Sequence, residues 1–173
     1  MISFEQFKSL INLYIPENFT FKCFDCGDCC RHESGYVFLL DSEIKTISRF
    51  FKLKQDDFIS NFTFKFSKQV YSIKERENYD CVFWDKQNRN GKGGCSIYKV
   101  RPVQCVNFPF WLSTFADKES FEQQAARCKG IMAKEGKFFN KKEIYKLIYL
   151  DLKKRELQYK SFLDDEILRI LYD

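Results

Sequence analysis

The sequence predicts an α+β fold: a small, irregular, metal-stapled domain of short strands, flanked by an N-terminal helix and C-terminal helices. Three observations predict it. Helical apolar spacing occurs at the two ends, brief alternating apolar runs lie between them, and four of the eight cysteines crowd into residues 23 to 30. With 173 residues and 45% apolar content the chain can bury one ordinary core, so a single domain over 1–173 is expected. Within it, residues 19–131 form the cysteine-cluster core and 132–173 a basic helical extension.

Taken in order, Phe4, Phe7, Leu10, Ile11 and Tyr14 recur at three- and four-residue steps, predicting a helix over 3–14 that Pro16 ends. Phe19 to Lys22 then leads into the first cysteines. Gly35 to Leu40 reads as a buried strand, and Asp41 or Ser42 as the cap of a helix that turns Ile44, Ile47 and Phe51 inward. Strict alternation from Phe62 to Phe66 predicts a half-buried strand, with Val70 to Lys74 as its partner. Cys81 to Trp84 is a further short apolar piece. Asp85 to Gly94 is a polar, turning loop whose glycines match neither a phosphate loop nor a dinucleotide fingerprint. Between Phe110 and Ala126 the alternation of Phe110 to Phe115 favours a hairpin over a helix capped by Ser120 and Gln123. Asn140 with Glu143 opens a clear helix striped by Ile144, Leu147 and Ile148, and Ile167, Leu168 and Leu171 mark another.

Composition narrows the class. The start carries Glu5 and Lys8 within its apolar pattern and lacks the form of a secretory signal, and no stretch approaches the ~18 apolar residues of a membrane span. The expectation is a soluble, cytoplasmic protein without a membrane partner, in whose reducing surroundings clustered cysteines read as metal ligands. The formal charge of +5 is uneven, with ten Lys or Arg against four Asp or Glu in residues 129–160. That basic face reads as a solvated helix surface rather than a nucleic-acid footprint, and a protein is the expected partner.

The cysteines carry the chemistry. Cys23, Cys26 and Cys29 are spaced so that pairs can turn their sulfurs to one ion, and Gly27 permits the left-handed backbone such a knuckle favours. Backbone N–H groups in these turns can temper the thiolate charge. The same three residues resemble the run of an iron–sulfur protein, although no Cys-Pro follows them. Cys29 and Cys30 are chain neighbours whose side chains are expected to diverge, towards different metals or with one thiol to spare. With Cys81, Cys95, Cys105 and Cys128, all eight are candidate ligands, enough for two four-thiolate sites or for one cluster plus reactive thiols. Thiolates suit zinc and an iron–sulfur cluster such as [4Fe–4S] alike, so one or two centres of either kind are expected.

Cys23 to Cys30, together with Cys81-Val82-Phe83, Cys95-Ser96-Ile97-Tyr98, Arg101-Pro102-Val103-Gln104-Cys105-Val106-Asn107-Phe108-Pro109 and Cys128-Lys129-Gly130, resembles the cysteine-cluster proteins named for CxxCxxCC, the YkgJ-like zinc- or iron-chelating family. The resemblance spans about residues 19–131. It implies a cytoplasmic bacterial protein of small α+β architecture. Some longer relatives are described as flagellin lysine N-methylases with an iron–sulfur centre in the cysteine cluster.

Two functions from different classes follow. The first is a metal-binding module whose thiolates give a structural or redox centre. The alternative is a metal-dependent protein-lysine N-methyltransferase, which would need S-adenosylmethionine and a flagellin-like partner; no glycine-rich nucleotide turn follows an evident strand. A hydrolytic zinc site fits less well, because an all-cysteine site is usually closed to water. Arg101, turned by Pro102 towards Cys105, is the better candidate to offset thiolate charge, whereas Arg31 reads as an exposed surface residue. His32, the single histidine, reads as a surface or ligand-supporting group, Asp25 and Asp28 as solvent-facing, and Tyr98 as an aromatic packed under the Arg101-Pro102 turn.

Overall fold

The computed structural model describes residues 1–160, 163 and 165–172; within the last helix, the side chains of residues 165, 166, 168 and 172 lie outside the described set. Helices and small antiparallel sheets alternate, so the chain is α+β. In chain order the elements are α1 (Phe4–Leu10), β1 (Thr20–Phe21), β2 (Phe38–Leu39), α2 (Asp41–Phe50), α3 (Gln55–Phe62), β3 (Thr63–Ser67) and β4 (Val70–Ile73). After these come β5 (Trp84–Asp85), the helical turn α4 (Asn88–Gly91), β6 (Gly94–Cys95), α5 (Val103–Val106), α6 (Lys118–Arg127), β7 (Lys137–Phe138), α7 (Lys141–Lys154), α8 (Glu156–Lys160) and α9 (Asp165–Tyr172). They form two compact units: a terminal unit from Met1–Phe24 and Asn107–Asp173, and an inserted unit from Asp25–Val106.

In the terminal unit, Ser3 caps α1 through a reciprocal bond pair with Gln6. The helix stops at Leu10, four residues short of the periodic pattern, because distant groups claim the backbone beyond it. Leu13 N–H donates to the Tyr145 hydroxyl, which itself donates to the Ile11 carbonyl, and Tyr14 N–H donates to the Phe115 carbonyl. β1 pairs antiparallel with β7, Thr20 opposite Phe138 and Phe21 opposite Lys137. The expected hairpin at 110–126 is instead a 3-10 turn, Ser113–Phe115, followed by α6. Its cap is Asp117, which accepts from Ser120 N–H, three residues before the capping box the sequence suggests. Phe110 and Phe115 are buried for tertiary reasons, gathered with Phe121 around Phe19 at ring separations of 5.4–6.1 Å. α7 opens as predicted, Asn140 accepting from Glu143 N–H and the Glu143 carboxylate from Asn140 N–H. Ile144 and Ile148 are fully buried, as is Leu171 in α9, while the Leu168 side chain lies outside the described residues.

In the inserted unit, β2, β4 and β3 form a three-stranded sheet in that order, with Phe64 and Phe38 both opposite Ser72. α2 buries Ile44 and Ile47 as expected, but its cap is Leu40, whose N–H is taken by the Glu43 carboxylate at 2.7 Å. α3 is absent from the sequence expectations. Phe58 and Phe62 on it stack against Phe83, the residue two positions after Cys81, at 6.2 and 5.3 Å. The polar loop 85–94 closes a hairpin: Trp84 pairs with Cys95 and Asp85 with Gly94. Among the described residues, no helix is long and apolar enough to cross a membrane.

Candidate metal centre

Five of the predicted ligand residues are brought into one neighbourhood of the inserted unit, and local rules explain how. Gly27 takes φ = 78°, which starts a 3-10 turn over Asp28–Cys30 and lets Cys30 N–H reach the Gly27 carbonyl at 2.9 Å. The Cys30 carbonyl accepts from Cys81 N–H at 2.8 Å, joining the turn to the residue that also bridges Glu75 just after β4. Three residues on, Trp84 pairs with Cys95 across the β5–β6 hairpin. Cys105 arrives on α5, which two side chains fix in place. Glu43 accepts from Val103 N–H at 2.6 Å, and Gln104 bonds strand β2 as a peptide would, accepting from Phe38 N–H and donating to the Tyr36 carbonyl.

All eight cysteines are thiols rather than disulfide partners. The Cys29 and Cys30 sulfurs lie 3.9 Å apart, so these neighbours face the same side instead of diverging. The tight turn that follows Gly27 is the reason. A hydrogen bond from the Cys30 thiol holds Cys29 below the ordinary thiol value of 9.0, and keeping that proton, with burial, pushes Cys30 far up. Burial pushes Cys81 up to about 11, against the N–H of Phe83 bonded to its sulfur. Cys95 is raised by burial too, opposed by the N–H of Ile97 and by the Arg101 charge. Cys105 is held well above its ordinary value by burial and then by the charges of Cys81, Cys29 and Cys95. These reciprocal influences mark five thiols that feel one another: Cys29, Cys30, Cys81, Cys95 and Cys105.

The sulfurs of Cys81 and Cys95 each accept from the backbone N–H two residues on, the knuckle arrangement expected of thiolate ligands. Among the described residues, no three His, Cys, Asp or Glu side chains already converge on one point. Cys26 lies exposed in the same unit, one residue before Gly27. Cys23 and Cys128 belong to the terminal unit, where Lys22 N–H donates to the Gly130 carbonyl at 3.0 Å and Ile131 N–H to the Cys128 carbonyl at 3.0 Å. A Cβ on Gly130 would lie 2.2 Å from the Lys22 carbonyl oxygen, so only glycine admits this approach of the two cysteine segments.

The charged residues have distinct tasks. Arg31 is no free surface residue: its guanidinium donates to the buried Asp80 carboxylate at 3.1 Å and lies 3.9 Å over the Trp84 ring. Arg101 acts on Cys29 and Cys95 rather than Cys105, and rests 3.8 Å over the ring of Tyr98, which stays exposed. The Tyr98 hydroxyl donates to Asp25 at 2.8 Å, and Arg89 donates to the Asp25 carbonyl, so Asp25 ties down the loop before Cys26. His32 is exposed, 3.9 Å from Asp28. Glu43, Asp80 and Gln104 were invisible as positioning groups in sequence, although Gln104 sits inside the Arg101 to Cys105 signature.

Residues 22–129 match a family named CxxCxxCC, described as "Putative zinc- or iron-chelating domain". An uncharacterized protein of Methanocaldococcus jannaschii is 24% identical over 149 residues, which covers 84% of this chain and 75% of that protein. No solved structure matches the chain.

Proposed function

We propose that this chain, which belongs to the CxxCxxCC family of metal-chelating domains, binds a single tetrahedral ion, zinc, through Cys29, Cys30, Cys81 and Cys95, and that the ion is structural. The observation that carries the reading is the 3.9 Å separation of the Cys29 and Cys30 sulfurs. Zinc–sulfur bonds of ~2.3 Å in a tetrahedron put any two sulfurs about 3.8 Å apart. Thiolates of a [4Fe–4S] cluster each go to a different iron and are spread by the width of the cluster, which this pair does not match.

Cys81 and Cys95 complete the set because each sulfur already accepts a backbone N–H. Cys105 is held by burial and like charge, with no backbone donor among its main influences, and it lies outside the proposed ligand set. A bound dication supplies the positive charge that lets these tightly held protons leave. Four thiolates leave no position for a reactive water, which favours a structural role.

Purification without oxygen, followed by elemental analysis, sulfide assay and a visible spectrum, tests the reading. One zinc per chain, colourless and without acid-labile sulfide, is expected. Iron with acid-labile sulfide would overturn it.

A further inference from the structure

We propose that Trp84 supplies a hydrogen bond to the metal centre, its indole N–H donating to a ligand sulfur of the Gly27 turn, Cys29 or Cys30. The inference rests on the centre proposed above and adds a residue that no cysteine signature marks. Trp84 Nε1 is buried with no hydrogen-bond partner among the described residues. A buried donor without an acceptor is costly, and native structures rarely keep one unless a missing group completes it.

Its location indicates what that group is. Trp84 pairs with Cys95, and its backbone N–H donates to the Cys81 carbonyl at 2.8 Å, so the residue stands between two proposed ligands. The ring edge that carries Nε1 abuts the cysteine turn: a Cβ on Gly27 would lie 2.8 Å from Nε1. Farther along the same edge, on the other side of the N–H, Gly93 abuts the ring, and its Cβ would lie 2.8 Å from Cζ2. Both glycines have positive φ, 78° and 74°, so backbone conformation and ring placement require glycine together. Arg31, anchored by Asp80, covers the ring face. The indole is thus held along its N–H edge by two glycines and on a face by Arg31, with its donor against the turn that presents Cys29 and Cys30.

The chemistry needs such a donor. Four thiolates round a dication keep a net charge of −2, which N–H donors temper. Phe83 and Ile97 serve Cys81 and Cys95 in this way. Trp84 extends the same service to the other half of the set, and being neutral and rigid it does so without adding a charge or losing much side-chain freedom.

Indole 15N–1H spectra of the full chain, reduced and then loaded with zinc or cadmium-113, test the inference. The Trp84 signal, assigned with Trp84→Phe or, should that variant not fold, with Trp111→Phe, is expected to move downfield on loading and to couple to cadmium. Trp84→Phe is expected to lose metal to a competing chelator about 10-fold more readily, the lower end of what outer-shell partners give. Stoichiometric metal binding with an unmoved Trp84 signal would overturn the inference and leave the centre standing. A wild-type chain that retains no metal would overturn both.

Discussion

Alanine at Gly130 adds one methyl group where the structure has no room for it. The new Cβ would meet the Lys22 carbonyl oxygen at 2.2 Å, the Lys22 carbonyl carbon at 3.1 Å and the Phe21 ring at 3.2 Å. Ordinary contact needs about 1 Å more, and the obstacle is backbone, which cannot swing aside. The segment must therefore retreat, stretching the bonds from Lys22 N–H to Gly130 (3.0 Å) and from Met132 N–H to Thr20 (2.8 Å) beyond useful length. Two such bonds are worth roughly 1 kcal/mol each, and displaced Phe21 packing adds about 1 kcal/mol. Gly130→Ala should lower stability by about 3 kcal/mol in urea unfolding. Gly35, where an added methyl would meet nothing within 4 Å, is the control and should change by less than about 0.5 kcal/mol as alanine. If the two variants unfold together, the close approach of the Cys23 and Cys128 segments does not exist as described.

The 3.9 Å spacing of Cys29 and Cys30 predicts that Cys29→Ser and Cys30→Ser each empty the same centre, whereas neighbours serving separate metals would each empty a different one; metal counts per chain decide. Chelation should cost the chain a large share of its folding energy, since structural thiolate zinc contributes ~10 kcal/mol in finger peptides, and an unchanged urea midpoint after complete metal removal would contradict this. In the reduced, metal-free chain the folded Cys81 thiol, at about 11, holds its proton more tightly than the unfolded one near 9.0. Stability should therefore hold below pH 9 and fall between pH 9 and about 11, a fall that bound metal removes; urea midpoints across that range measure it. In the terminal unit, Arg155 and Asp151 are a buried pair at 2.7 Å, supported by Tyr159 and Asn107. Arg155→Met should destabilise by about 3–5 kcal/mol by leaving the Asp151 charge uncompensated, and a loss under about 1 kcal/mol in thermal or urea unfolding would refute that.

What was legible in the sequence was local. Asn140 and Glu143 announce α7 because both halves of the cap lie within four residues; the alternation of Phe64 and Phe66 announces β3, although Phe64 stays exposed and Thr63 is the residue the strand buries. The failures are tertiary. Nothing near Ile11 says that Tyr145 will take its carbonyl and end α1 early. Phe110 and Phe115 alternate like a strand yet are buried by the ring cluster round Phe19, which accepts aromatics from any backbone geometry. α3 was hidden because Phe62, its last residue, also fits the alternation of the strand that follows. In the site, the cysteines were legible as candidate ligands from spacing, but the direction of Cys29 and Cys30 was set by the Gly27 turn. The tasks of Glu43, Gln104 and Asp80 depend on partners 49 to 68 residues away in the chain.

The terminal unit is written in two instalments, with the inserted unit between them. A ribosome delivers Phe21 long before its strand partner Lys137, 116 positions later by their numbers. At ~5–20 residues per second the first strand waits about 6 to 23 s. Throughout that interval the first instalment has no sheet to join, while the insert emerges whole. Cys29, Cys30, Cys81 and Cys95 are all made by then, so order of synthesis lets an ion be captured before the second instalment can complete the terminal unit.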